Sequence, residues 1–242
     1  MNSLANKTVR ELALEIPGAT RVFEKIGIDY CCGGQRSLAD VCAKAEITIE
    51  DVMKSLELGK KSHSTGDEPN YLVATLAELI DHIVDKHHVF TKNEIDRLRG
   101  LLNKVCGVHS QNHPELQTLR TLFETLSVEL GPHMIKEEEV LFPYVKRMEA
   151  AVRDKRPVMP APFRTVANPV RMMMLEHDDA GEFLRKMRGI TSNYAPPEDA
   201  CISYQTLYQA LEAFEQDLHQ HIHLENNILF PRAVEMEGGV YA

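Results

Sequence analysis

Two histidine–glutamate pairs in the chain share one spacing and one sequence context. His133 is followed four residues later by Glu137. His221 is followed in the same way by Glu225, and each pair precedes a Leu-Phe-Pro tripeptide. Residues four apart in an α-helix lie on the same face, about 6 Å apart along the axis. Because imidazole and carboxylate together suit iron, manganese or zinc better than calcium or magnesium, the duplicated pairs predict a dinuclear metal site.

The two pairs belong to an internal repeat. The second pair lies 88 positions after the first, and His177 lies 89 positions after His88. Each half then has a helix with one histidine followed by a helix with a histidine–glutamate pair, a similarity that is rarely accidental. The apolar face of the first helix points nearer to His87, whereas the repeat points to His88. His88 is therefore the predicted ligand, and His87 is the alternative.

Four long apolar periodicities must position these side chains. They cover approximately residues 70–104, 115–149, 168–192 and 199–236. Four helices with modest connections predict an antiparallel bundle. The segment before them shows shorter helical patterns whose expected N-caps are Thr8, Ser37 and Thr48. A polar segment rich in glycine and proline separates the two parts. The predicted organisation is thus a small helical domain at 1–58, a linker at 59–69 and a bundle at 70–242.

Cys31 and Cys32 are adjacent in a glycine-rich turn of the N-terminal segment. Adjacent cysteines form only a strained disulfide ring, so this pair is suited to binding or passing on a soft metal, or to reacting as thiolates. The alternative is a pair of small buried side chains. The chain has five cysteines, an odd number without the spacing of a disulfide framework, which fits a reducing cytoplasm.

The other acidic residues and histidines near these motifs have simpler expected roles. Glu138 and Glu139 rotate off the ligand face and are expected in solvent. Glu176 either lines the approach to the metals or is a surface carboxylate. His219 and His223 lie two residues from the second repeat histidine and should face away from the site. Surface or capping positions are expected for His82, His109 and His113.

Composition excludes several classes of function. The net charge of -9 argues against nucleic acid as the main partner. No run of 18 apolar residues is present, so no membrane span is expected. The first residues lack the features of a signal peptide, which favours a cytoplasmic location.

The order of ligands within each motif separates two kinds of metal bundle. Ferritin-like sites use Glu-x-x-His, and no histidine here has a glutamate three residues before it. A histidine on one helix and His-x-x-x-Glu on the next, twice over, resembles the hemerythrin-like family of di-iron bundles. The Ile-Asp-Tyr-Cys-Cys-Gly-Gly stretch that ends at Gly34 resembles the small domain of the iron–sulfur cluster repair di-iron proteins. The stretch from His221 to Arg232 resembles the end of their bundle.

This resemblance implies an all-α protein: a hemerythrin-like antiparallel four-helix bundle preceded by a small helical N-terminal domain. It implies a non-haem centre of two iron ions joined by an oxo bridge. Glu137 and Glu225 would bridge the irons, and the remaining ligands would be His88, His133, His177 and His221. It also implies a cytoplasmic stress-response protein that repairs iron–sulfur clusters damaged by oxidants or nitric oxide. The hypothesis for Cys31 and Cys32 is a relay of iron or of a nitrosyl group.

Three functions compete at this point. The first is repair by iron donation to damaged iron–sulfur proteins. The second is an enzyme of the nitric oxide reductase type at the di-iron site. The third is a hemerythrin-like gas binder or sensor for nitric oxide or dioxygen. The cysteine domain favours the first, since simple gas binding needs no thiols, and a homodimer is compatible with all three.

Overall fold

The N-terminal part of the chain is a set of short helices. The computed structural model describes residues 2–62 and 71–241. The expected caps form: Thr8 and Ser37 each accept a backbone N–H at the start of a helix, and Thr48 accepts that of Asp51. The helices are α1 (Asn2–Ala5), α2 (Val9–Glu15), α3 (Ala19–Ile26), α4 (Leu38–Ala45) and α5 (Ile49–Ser62). The last of these enters the predicted linker, whose remainder lies outside the described residues.

Four long bundle helices follow, as the periodicities predict. The first comprises α6 (Leu76–His82), a π-helical turn (Ile83–His88) and α7 (Val89–His109), and so extends beyond its predicted end. The second comprises α8 (Glu115–Lys136), a π-helical turn (Glu137–Leu141) and α9 (Phe142–Arg153). The third is α10 (Ala167–Ile190). The fourth comprises α11 (Ile202–Leu224), a π-helical turn (Glu225–Leu229) and α12 (Phe230–Tyr241). Within the bundle, α7 packs against α8 and α11, and α8 against α10.

The three π-helical turns coincide with the predicted metal ligands. One ends at His88, and the others begin at Glu137 and at Glu225. Single π-helical turns inside α-helices are rare and frequently mark functional sites. The Leu-Phe-Pro repeat fits this geometry, because its proline is the second residue of the α-helix that resumes after the turn, where a missing N–H costs little.

Two apolar clusters enclose the middle of the bundle. One contains Leu141, Phe142 and Phe230 at one end of the helices. The other contains Phe123 and Phe214 and continues into the N-terminal helices. The small cysteine-containing segment therefore shares a hydrophobic core with the bundle. None of the helices in residues 2–62 and 71–241 has the length and apolar character needed to cross a bilayer.

Candidate metal centre

The six predicted ligands converge between the two apolar clusters. Two sets of four residues each bring their ligand atoms within 4.8 Å of one another, and Glu137 and Glu225 belong to both sets. The sets are completed by one histidine pair each, His88 with His221 and His133 with His177. All six side chains are buried, and both carboxylates are 0% exposed. The repeat thus places two similar groups of potential metal ligands around two shared carboxylates.

Each histidine pair has its Nε2 atoms facing each other. The His88 and His221 Nε2 atoms are 3.1 Å apart. The His133 and His177 Nε2 atoms are also 3.1 Å apart. In the second pair, both Nδ1 atoms donate to oxygen acceptors, so both Nε2 atoms present lone pairs. When both rings are neutral, two lone pairs at this distance repel each other, and a shared proton or a bound cation removes the repulsion.

The carboxylates lie between the histidine pairs. Glu137 Oε2 is 3.5 Å from Nε2 of His88 and 3.4 Å from Nε2 of His133. Glu225 presents Oε1 to His221 at 3.1 Å and Oε2 to His177 at 3.2 Å. Among the described residues, none of the four carboxylate oxygens has a hydrogen-bond partner. Buried carboxylates without hydrogen bonds are costly, so the arrangement fits a pair of bridged metal ions.

Electrostatics support the same interpretation. Burial and the neighbouring Glu225 raise the pKa of Glu137 well above its usual value. Burial also disfavours a charged Glu225, but His221 and His177 outweigh this effect and hold its pKa well below the usual value. Burial, reinforced by His177, lowers the pKa of His133 to about 4. Burial also disfavours a charged His177, but Glu225 outweighs this effect and raises its pKa. A neutral imidazole is the form that binds a metal, so metal binding would displace any proton on His177.

Three of the four predicted ligand imidazoles form a hydrogen bond through their second nitrogen. His88 Nδ1 donates to Glu138 Oε1 at 2.6 Å. His133 Nδ1 donates to Glu176 Oε2 at 2.7 Å. His177 Nδ1 donates to Asn226 Oδ1 at 2.8 Å. Such partners fix the tautomer and ring orientation of a metal-binding histidine.

The sequence does not predict most of these orienting contacts. Glu138 does not extend freely into solvent as expected, because the π-helical turn at this point brings it against His88. The repeat contained the signal: Glu138 and Asn226 each directly follow a shared carboxylate, and each holds the histidine of a neighbouring helix. Glu176 contacts His133, in agreement with the first of its two expected roles. Glu139 is exposed, as expected.

His88, and not His87, lies in the cluster. His87 is also buried, but its Nδ1 is 2.9 Å from Asp217 Oδ1. Its ring stacks on His221, with ring centroids 5.8 Å apart and planes at 10°. His87 therefore packs against a predicted ligand from outside the cluster.

The other histidines in residues 71–241 lie outside the centre. His219 and His223 face the N-terminal segment, where His219 Nδ1 is 2.9 Å from Glu24 Oε2 and the His223 ring packs on Tyr30. At the far end of the bundle, His113 pairs with Asp199 and His109 lies near Cys201. The ring of His82 packs near that of His87.

The cysteine turn packs directly on the centre. Cys32 Sγ lies 3.4 Å from the carbonyl oxygen of His177. The Asn226 side chain, which orients His177, also donates to the Cys31 carbonyl at 3.5 Å. A Cβ atom added at Gly181 would lie 3.4 Å from Cys32 Sγ, so glycine leaves room for the thiol. Both cysteines are free thiols, and they lie next to the candidate metal ligands.

A cavity of about 360 Å³ leads toward the second histidine pair. His133 and His177 line it together with Glu176 and Lys136, which form an ion pair. This opening gives small molecules a route to one side of the centre.

Both parts of the chain match known protein families. Residues 79–233 match the hemerythrin HHE cation binding domain. Residues 5–59 match a domain of unknown function, DUF542. The chain is 34% identical to a probable iron-sulfur cluster repair protein of Haemophilus influenzae, over 96% of this chain and 98% of that protein. It is 35% identical to the iron-sulfur cluster repair protein YtfE of Citrobacter koseri, over 97% of this chain and 100% of that protein. The chain belongs to the family of hemerythrin-like iron–sulfur cluster repair proteins.

Proposed function

We propose that the chain repairs iron–sulfur clusters damaged by oxidative or nitrosative stress, by donating iron from a di-iron centre. One observation carries the proposal: two pairs of facing imidazoles share two buried carboxylates that have no other partner among the described residues. The relatives named as repair proteins supply the biological context. We place the activity in the reducing cytoplasm, in keeping with five free thiols.

The proposed cofactor is a pair of iron ions joined by an oxo bridge. His88 and His221 would hold one ion, and His133 and His177 the other. Glu137 and Glu225 would bridge them. Bound iron would supply exchangeable metal and open coordination positions, since each ion receives two imidazoles and two shared carboxylates. Mixed nitrogen and oxygen ligands are well suited to iron.

The protein's own residues set how firmly that iron is held. Glu138, Glu176 and Asn226 orient three of the four imidazoles, which strengthens binding. Nδ1 of His221 has no hydrogen-bond partner among the described residues, so its ring is oriented by packing alone. We infer that the position of His88 and His221 is the weaker one and releases iron first.

We further propose that Cys31 and Cys32 relay iron or a nitrosyl group between the centre and a client. The contact between Cys32 and His177 supports this role, because the thiol lies at the edge of the centre. Replacing both cysteines by serine should slow repair without removing iron from the bundle. Repair at the normal rate in the double variant would refute the relay.

The test of repair uses a client enzyme whose [4Fe–4S] cluster has been damaged by nitric oxide. Iron-loaded protein is added anaerobically with a thiol reductant, and recovery of client activity is followed. Wild type should restore activity, whereas His133→Ala and His221→Ala should not. Cys201→Ser is the matched control, since this exposed thiol belongs neither to the predicted ligand set nor to the cysteine turn. Equal repair by the iron-deficient variants would contradict the proposal.

A second function is favoured by the cavity beside His133 and His177, which admits a small molecule such as nitric oxide. Consumption of nitric oxide over many turnovers with an electron donor would identify an enzyme of the nitric oxide reductase type. A stable, reversible adduct without turnover would identify a gas binder or sensor. Sedimentation of the iron-loaded protein would show whether it forms the homodimer compatible with either role.

A further inference from the structure

A second cluster of metal-binding groups lies outside the di-iron centre. Asp29, Cys31 and Cys32 each bring a ligand atom to within 4.8 Å of the other two. Cys31 Sγ is 3.8 Å from Cys32 Sγ and 3.4 Å from Asp29 Oδ1. The three residues lie in one turn of the N-terminal segment, and none of them contributes to the bundle site.

These separations match those of a tetrahedral metal site. Bonds of about 2.3 Å to sulfur and about 2.0 Å to oxygen put two sulfurs about 3.8 Å apart, and sulfur and oxygen about 3.5 Å apart. The observed distances of 3.8 Å and 3.4 Å agree with both values. One ion can therefore lie between the two thiolates and beside Asp29, whose ligand atom is within 4.8 Å of both sulfurs.

The turn holds these groups in place without an ion. Asp29 Oδ1 accepts the backbone N–H groups of Cys31, Cys32 and Gly33 at 3.2, 3.0 and 3.0 Å. A Cβ atom at Gly34 would lie 2.7 Å from the Tyr30 carbonyl oxygen, so the turn closes this tightly only with glycine. The turn is also anchored to the bundle, because Asn227 donates to the Tyr30 carbonyl at 3.0 Å.

We propose that Asp29, Cys31 and Cys32 form a mononuclear site for one divalent ion of the zinc or ferrous iron class, distinct from the di-iron centre. Two thiolates select this class over magnesium or calcium. On binding, both thiol protons leave to solvent, and the ion takes the place of the Cys31 proton that faces Asp29 Oδ1. No change of oxidation state is needed.

The site has an open position. Structural zinc sites have four protein ligands, whereas three protein ligands leave a fourth position for exchange. Asp29 borders a cavity of about 380 Å³ whose wall also includes Arg36, Lys44 and Arg185. This basic wall favours an anionic fourth ligand, such as a cysteine thiolate of a client. Transfer of iron through this position rests on the proposed repair function, whereas the metal site itself does not.

The test titrates Co²⁺ into the reduced, iron-loaded full chain and records difference spectra. Only a thiolate ligand gives sulfur-to-cobalt charge transfer in the near ultraviolet, and the bundle centre has none. We expect the band to saturate at about one equivalent and to be displaced by Zn²⁺. Cys31→Ser and Cys32→Ser each leave one thiolate and should lose at least half of the band, and Cys201→Ser should leave it unchanged. Asp29→Asn keeps an oxygen acceptor for the three N–H groups and removes only the charge of the carboxylate. This variant should bind cobalt at least tenfold more weakly.

A second measurement guards against misfolded variants. Zn²⁺ should slow alkylation of Cys31 and Cys32 in the wild-type chain at least tenfold and leave Cys201 unaffected. Absence of the cobalt band, or its survival at full intensity in Cys31→Ser, would overturn the proposal, as would alkylation at an unchanged rate. His133→Ala separates the two claims, because it should lose bundle iron and repair but keep the band. A normal band in the wild-type chain together with normal repair by Cys32→Ser would leave the site standing and refute its role in transfer.

Discussion

Replacing Glu138 by alanine removes the acceptor that orients one predicted ligand. The Glu138 carboxylate accepts from His88 Nδ1 at 2.6 Å and from Lys92 Nζ at 2.7 Å. Burial raises the pKa of Glu138, but the hydrogen bonds from Lys92 and His88 lower it by more. The pKa of Glu138 therefore lies below its usual value. The group is therefore charged at neutral pH. Without it, the His88 ring is free to rotate away from the binding position.

The expected loss of iron affinity depends on how far water can replace the Glu138 carboxylate. Loss of such an orienting partner generally weakens metal binding 10- to 100-fold. The Glu138 side chain is 26% exposed, so water can partly replace the carboxylate. We therefore expect a loss near the lower end, about tenfold, which corresponds to about 1.4 kcal/mol. The binding position of His133 and His177 should be unaffected.

The assay measures transfer of Fe²⁺ from the protein to a competing chelator at equilibrium. Glu139→Ala is the matched control, because Glu139 belongs to the same π-helical turn and is exposed. In Glu138→Ala, about one of the two irons should be held roughly tenfold more weakly. Affinity within twofold of wild type, or an equal loss in Glu139→Ala, would refute the argument that Glu138 acts through His88.

Four further predictions follow from the same geometry. Asn226→Ala should weaken iron binding about 10- to 100-fold, because it removes the acceptor that orients His177. Asn226→Asp keeps an acceptor and should keep most of the affinity, and chelator competition would measure both variants. His88→Ala should lose one iron per chain in a metal assay, and His87→Ala should keep both. At a free iron concentration about a thousandfold above the dissociation constant, the iron-loaded protein should have a free energy of unfolding about 4 kcal/mol higher than the metal-free protein. Thermal scans of the two forms would measure the difference. Burial lowers the pKa of His223 to about 4, against about 6.5 in the unfolded chain. The neutral His223 side chain therefore contributes its full stabilisation above pH 6.5, and this contribution is lost as the pH falls toward 4. His223→Gln should reduce the pH dependence of the free energy of unfolding in this range by up to about 1.4 kcal/mol per pH unit. Urea titrations of the metal-free protein would measure it.

The sequence was sufficient to predict the bundle and the six residues that converge in it. A duplicated His-x-x-x-Glu at a fixed offset is a local pattern, and one helical turn brings its two members together. The N-caps at Thr8, Ser37 and Thr48 were predictable for the same reason, since capping depends on neighbours within three residues.

The choice between His87 and His88 depended on a feature that periodicity does not reveal. Extending the apolar face as a regular α-helix points nearer to His87, but the turn at Ile83–His88 is π-helical. A π-helical turn has more residues per turn, so it shifts the angular position of every later side chain. The same shift explains why Glu138 was expected in solvent and instead contacts His88.

The sequence also does not predict where the cysteine turn packs on the bundle. Cys31 and Cys32 were recognisable as reactive groups, but their contacts join residues almost 150 positions apart, such as Cys32 and His177. Such contacts depend on how the N-terminal helices dock on the bundle through a shared apolar core. Asn226 and Asn227 hold the turn through the carbonyl groups of Cys31 and Tyr30, and a helical sequence pattern does not reveal these contacts.

The central claim is that two iron ions bind between the four histidines and two glutamates. The most direct measurement is the iron content and optical spectrum of the purified chain, compared with His133→Ala and His221→Ala. Two irons per chain are expected, with near-ultraviolet absorption of an oxo-bridged centre, and both should be lost or halved in the variants. One zinc or no metal, unchanged by either substitution, would contradict the account.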